Sequence, residues 1–185
     1  MLLRIVKYGH PALRKKGSEI RRIDNKLRAL VADMIETMEA ANGVGLAAQQ
    51  VGVPIQLAVV DVAGIEDRPS TMAIGGQPVN PDEHMPLVLI NPELELSGEK
   101  EIGTEGCLSF PEITGDIPRA PVVKARAQTL DGGEIEFEAT GLLARALQHE
   151  VDHLHGVLFI DRMNSATKTA LASRLKRLQK ETRGD

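Results

Sequence analysis

Apolar positions three and four residues apart mark three stretches of the chain as helices. Leu27, Leu30, Val31, Met34, Ile35 and Met38 make the clearest stripe, predicting a helix over about 25–41 that Asp24 caps and Asn42-Gly43 ends. A second helix is expected over about 142–155, stopping at Gly156. A third, over about 166–181, carries Leu171, Leu175 and Leu178 on one face and Lys168, Arg174, Lys176, Arg177 and Lys180 elsewhere. Short apolar runs predict strands over 56–62, over 87–96 with a break at Asn91-Pro92, and over 157–160. Residues 122–130 and 134–139 flank Asp131-Gly132-Gly133 as a hairpin. Residues 1–24 read as an irregular arm, 63–85 as a loop excursion holding Gly75-Gly76, and 98–121 as turn-rich. No repeat or second core is visible, so the pattern predicts one α+β domain over residues 1–185.

Composition narrows the function classes. Aromatic residues make up 2% of the 185 residues, so the core must be aliphatic and the ring platforms on which nucleic-acid bases stack are scarce. A net charge of -4 and a pI near 5.8 supply no basic footprint for DNA. The single cysteine excludes an intramolecular disulfide. The amino terminus is charged too early for a secretory signal, and no run approaches the roughly 18 apolar residues of a membrane span. The expected setting is therefore the cytoplasm, away from membranes, with an organelle after loss of a transit peptide as the alternative.

The chemistry concentrates in His149-Glu150-Val151-Asp152-His153, an H-E-x-x-H segment within the second helix. Residues four apart stack one turn above each other, so both imidazoles can chelate one metal ion. Glu150 lies about 100° around the helix from His149, within reach of a metal-bound water. The bland alternative is an amphipathic helix with two polar histidines. The third ligand separates the classes. Phe159 stands where a metzincin has its last histidine, and the only later glutamate is Glu181, too near the end for a thermolysin-like ligand. Cys107, the one thiol, sits in a turn beside Gly106 and can supply a strong third ligand. Three ligands leave a position open for water, which is a catalytic arrangement. His10 and His84 are expected at the surface, and His155 points away from His153.

Three segments together carry a more specific signal. Gly43-Val44-Gly45-Leu46-Ala47-Ala48-Gln49-Gln50, Glu105-Gly106-Cys107-Leu108-Ser109 and Gln148-His149-Glu150-Val151-Asp152-His153 resemble the three signature motifs of the peptide deformylase family, in that family's order. The resemblance runs from the amino-terminal arm through the segment after the metal helix. It implies a central metal-binding helix wrapped by antiparallel strands, with one helix before and one after. It also implies one divalent ion on Cys107, His149 and His153, ferrous iron as the native metal, and Zn2+, Ni2+ or Co2+ as substitutes.

By the same resemblance, the substrates are N-formylmethionyl nascent peptides and the product is formate. Glu150 takes a proton from a metal-bound water and returns it to the leaving amine, while the Gln50 side chain and the Leu108 backbone N–H stabilise the oxyanion. Gly43, Val44 and Gly45 border the substrate, and Glu105, Arg119 and Asp152 brace the ligands from behind, Arg119 pairing with Glu105 or Asp152. The basic last helix offers contact with the ribosome, a solvated face being the alternative. Two features depart from the family: 63–85 is longer than in typical bacterial members, and Thr114 stands where many relatives carry an arginine near the cleft. The competing readings are another metallopeptidase and a metal-stabilised binding module, which would need a fourth protein ligand and no Glu150.

Overall fold

A computed structural model describes residues 1–184. Its three helices, α1 (Asn25–Ala40), α2 (Gly141–Leu154) and α3 (Ser165–Arg183), lie within two residues of the expected bounds. The nine strands are β1 (Gly45–Ala47), β2 (Leu57–Val60), β3 (Ser70–Ile74), β4 (Gln77–Val79), β5 (Leu87–Ser97), β6 (Glu101–Cys107), β7 (Phe110–Arg119), β8 (Val122–Gln128) and β9 (Glu134–Thr140). Seven of them form an antiparallel sheet in the order β1-β2-β5-β8-β9-β3-β4, and β6 pairs with β7 as a separate two-stranded sheet. The fold is α+β, with antiparallel strands around the H-E-x-x-H helix.

The packing follows from strands that are apolar on both faces. Leu57 and Val59 of β2 join Leu27, Val31, Met34 and Met38 of α1, while Val60 packs with Leu143 and Leu147 of α2. The sheet thus lies between α1 and α2, and α2 is in turn covered by the β6–β7 hairpin. Beyond the hairpin, Leu171 and Leu175 of α3 pack with Phe110, Ile113 and Ile117 of β7. A helix enclosed this way is buried almost all round, and 11 of the 14 residues of α2 are buried. Such a helix can keep polar side chains only where each finds a partner. Gln148 does so by accepting from the Ala120 N–H at 3.0 Å and donating to the Ala120 carbonyl at 2.9 Å.

Four expectations needed correction. The 63–85 excursion is structured: β3 and β4 form a hairpin whose Gly75-Gly76 turn has positive φ at both residues, 59° and 77°, which suits a two-residue turn. The turn-rich 98–121 is the long β6–β7 hairpin. Its glycines and prolines are tolerated because each strand of a two-stranded sheet has an unpaired edge. Asn91-Pro92 does not break β5. The pair makes a bulge between Ile90 and Glu93, with Asn91 at φ 50° and its side-chain amide bonded to both the N–H and the carbonyl of Ile20. Finally, 157–160 is no strand: Phe159–Arg162 forms a 3-10 turn whose buried Phe159 and Ile160 give the apolar run its strand-like look.

The start of α2 is fixed by the excursion. The Leu142 N–H donates to the Pro69 carbonyl at 3.3 Å and the Leu143 N–H to Ser70 Oγ at 2.9 Å, satisfying amides that a helix start leaves free. Gly141, at φ 67°, has no room for a side chain, since a Cβ would lie 3.0 Å from the Pro69 carbonyl carbon.

Candidate active site

Two elements bring the proposed ligands together. Successive turns of α2 present His149 and His153 with ring centroids 5.1 Å apart. The β6–β7 turn brings Cys107 to them, its Sγ 3.4 Å from His153 Nε2. One donor atom from each of the three residues lies within 4.8 Å of the others, the span one ion needs. His149 Nδ1 is engaged by Glu105 Oε1 at 2.9 Å, which leaves Nε2 to face the centre. His153 Nδ1 is buried with no partner. Burial holds the His153 imidazole well below its usual pKa and therefore neutral, as a ligand must be. Burial also works against a charge on His149, but Glu150, Cys107 and Glu105 outweigh it and raise that pKa well above the ordinary value. Acidic groups that draw a proton onto a buried imidazole make a cavity suited to a cation, so a divalent ion fits this donor set.

Behind the ligands lies a charge network of unusual depth. Arg119, 4% exposed, donates from Nε and NH2 to Glu105 at 2.8 and 2.9 Å and from NH1 to Asp152 at 2.6 Å. Arg145 donates to Glu105 at 2.8 Å and to the Ile117 carbonyl at 2.8 Å. Arg162 closes the other side of Asp152 at 2.9 Å. Burial alone would raise the Glu105 carboxyl; Arg119 and His149 reverse that and hold it at about 2. Glu105 therefore stays ionised and fixes the orientation of the His149 ring.

The polypeptide deformylase family model matches residues 2–169. The chain belongs to this family. Peptide deformylases of Methylacidiphilum infernorum and Opitutus terrae are 49% and 46% identical to it, over 97% and 99% of this chain and 94% and 96% of theirs. Among solved structures, the Synechococcus elongatus peptide deformylase in complex with actinonin is 36% identical with a TM-score of 0.79, covering 94% of this chain and 86% of that one. The Thermotoga maritima peptide deformylase is 41% identical with a TM-score of 0.74, covering 89% of this chain and 99% of that one.

The remaining residues singled out from the family motifs meet in the same place. Gly43, Val44, Gly45, Gln50, Glu105, Cys107, Leu108, His149 and Glu150 all line one cavity of about 540 Å³. Glu150 is 3% exposed, its Oε1 is buried without a partner, and burial pushes its carboxyl up to about 7 against the opposing effect of His149. Gln50 is anchored through Oε1, which accepts from the Ala47 N–H at 2.9 Å, and its Nε2 lies 3.2 Å from Ser109 Oγ and 3.5 Å from Cys107 Sγ. Lys7 donates to the Leu108 carbonyl at 3.3 Å and so pins the turn that carries Cys107.

Gly45 is required by space, since a Cβ there would lie 2.8 Å from Glu150 Cδ. Gly45→Ala should accordingly displace the Glu150 carboxylate and cut formate release by roughly 10²-fold with little loss of stability. Steady-state kinetics beside a thermal melt check this; an active Gly45→Ala enzyme would show the carboxylate free to retreat.

Several supporting residues were not read from the sequence. Arg145 sits one turn before His149 on the same face, and a lone cation in the otherwise apolar first half of α2 was its signal. Gln148 and Ser109 stand inside quoted motifs, yet only the fold shows which groups they bind. Arg162 gave no local signal. Of the other histidines, half-buried His10 caps the 3-10 turn Pro11–Arg14, His84 is half-buried and His155 is exposed. None of these joins the ligand cluster found among the described residues.

Proposed function

We propose that the chain removes the formyl group from the amino-terminal methionine of newly made polypeptides, releasing formate. The observation that carries this is the pairing of an open three-ligand cluster with Glu150, a buried carboxylate with a partnerless oxygen on the same cavity. Cys107, His149 and His153 would hold the ion. A dication there acts as a Lewis acid on the formyl carbonyl and makes water a better nucleophile at neutral pH. Ferrous iron is the proposed native metal, on family resemblance and a thiolate ligand that accepts either iron or zinc.

Glu150 takes the proton of the attacking water at its carboxylate and passes it to the departing amine nitrogen. A carboxyl near pH 7 is suited to both transfers. As the formyl carbon becomes tetrahedral, its oxygen gathers negative charge, which the Gln50 Nε2 and the Leu108 N–H stabilise by donating to it. Glu105, Arg119 and Asp152 act through the ligands by fixing the His149 ring and the hairpin against α2. Gly43, Val44 and Gly45 let the peptide backbone lie close, and Gly45 with Glu150 leaves room for a formyl group rather than a bulkier acyl group.

The rest of the reading follows the same reasoning. The chain acts as one domain in the cytoplasm. Lys168, Lys176, Arg177 and Lys180 are exposed on α3, a basic face suited to ribosomal RNA at the site where substrates emerge. A metal-stabilised binding module would need a fourth protein ligand, and an endopeptidase a different third one; neither is favoured.

The test is formate release from a formyl-Met-Ala-Ser peptide by anaerobically purified protein. Activity should fall to background on chelation of the metal and return with Fe2+ or Ni2+. Metal-loaded protein that releases no formate would end the deformylase reading.

A further inference from the structure

Arg68 is held rigidly by its successors. Pro69 and Ser70 are bonded to Leu142 and Leu143 at the start of α2, and Ser70 pairs with Gly141 as an isolated bridge. Residue 68 therefore has a fixed place relative to the helix that carries His149 and Glu150. From there its side chain borders the active-site cavity together with Thr104, Leu142 and Arg145. It also borders a smaller adjoining cleft of about 260 Å³ that runs toward Glu101 and Pro121.

The guanidiniums of Arg119 and Arg145 are occupied by Glu105, Asp152 and backbone carbonyls. Arg68 is exposed and has no hydrogen bond or ion pair among the described residues, even with Glu66 and Asp67 beside it in the chain. A guanidinium fixed at its backbone and not engaged by the protein is available to a ligand, and its planar fork matches a carboxylate. Glu112 on β7 is also exposed on the cavity wall and would repel a carboxylate near it. Any preference must then depend on where along the peptide the acid stands.

We propose that Arg68 is a specificity-determining residue that binds a carboxylate side chain downstream of the formylated residue, so that this enzyme favours peptides with an acid at one such position. The proposal rests on the deformylase reading. The test uses carboxy-terminally amidated formyl-Met peptides with Glu or Gln at the second, third or fourth residue. The readout is the ratio of kcat/KM for each Glu peptide over its Gln partner.

Wild type should favour Glu by about 3- to 5-fold at one position, mainly through KM, the size expected of one exposed ion pair. The preference should shrink in about 0.5 M salt. Arg68→Ala should bring the ratio to about one, Arg68→Lys should keep part of it, and Arg68→Glu should invert it. A wild-type ratio of one at all three positions overturns the assignment, as does an Arg68→Ala ratio equal to wild type. An Arg68→Ala loss that is equal for Glu and Gln peptides, with the ratio kept, marks a purely structural role and overturns it too. Turnover of the Gln peptides checks the deformylase reading separately; if metal-loaded wild type cleaves none of the peptides, that reading fails and this assignment with it.

Discussion

Replacing Glu150 with alanine should lower formate release by about 100-fold or more while leaving the protein folded. Both parts follow from the surroundings of the carboxylate. It is buried beside the ligand cluster, one oxygen has no partner, and burial holds its pKa at about 7. Burying a carboxylate with one oxygen left without a hydrogen-bond partner costs stability, so its removal should leave the melting temperature unchanged or slightly higher. The kinetic loss should fall equally on kcat and kcat/KM, because the proton transfers belong to the transition state rather than to substrate binding. Glu150→Gln, which keeps the shape and removes the base, should behave the same way. A Glu150→Gln enzyme with more than about a tenth of wild-type kcat would remove Glu150 from its role.

Glu105→Ala should do the reverse and act first on stability. Its carboxylate pairs with buried Arg119 and part-buried Arg145 and orients one histidine. Deleting it leaves Arg119, in a site 4% exposed to water, with Asp152 as its one remaining carboxylate partner; breaking a buried pair costs about 3–5 kcal/mol, and Asp152 should hold the loss toward the lower end. For a chain of this length, that is a fall in Tm of roughly 10 °C. The freed His149 ring should also weaken metal binding by about 10- to 100-fold, measurable by competition with a chelator. Glu105→Gln, which keeps the shape and part of the hydrogen bonding, should recover some of the stability but less of the metal affinity. Metal affinity equal to wild type in a folded Glu105→Gln protein would show that His149 needs no such support.

The sequence made the helices legible and left much of the β structure obscure, and the reason is physical. α1 has a single stripe against one sheet, so its periodicity is undiluted. β6 and β7 have no such stripe, because Gly103, Gly106, Gly115, Pro111 and Pro118 are accommodated by free strand edges rather than by burial. The Gly75-Gly76 signal is visible but reads as part of a loop excursion rather than as a hairpin turn, since β3 and β4 are too short to show alternation. Site residues were legible where they share a motif. His149, Glu150 and His153 are fixed by helix geometry alone, whereas bringing Cys107 and Gln50 to them depends on pairings across the whole chain. Arg145 shows only as a lone cation in an apolar run, and Arg162 is recognisable only by what it touches.

The arginine network has a consequence for how this protein can change. Glu105, Arg119, Arg145, Asp152 and Arg162 form one connected set, so the effects of substituting them cannot sum. The first loss is the expensive one, because it leaves a charge in the interior; removing the stranded partner next should recover part of the damage. A lineage drifting through single replacements therefore meets its highest barriers at buried Glu105 and Arg119, although a wholly apolar replacement of the set could be as stable. The inner positions are therefore expected to be kept together or exchanged together, while Arg162 at the exposed end can vary at less cost.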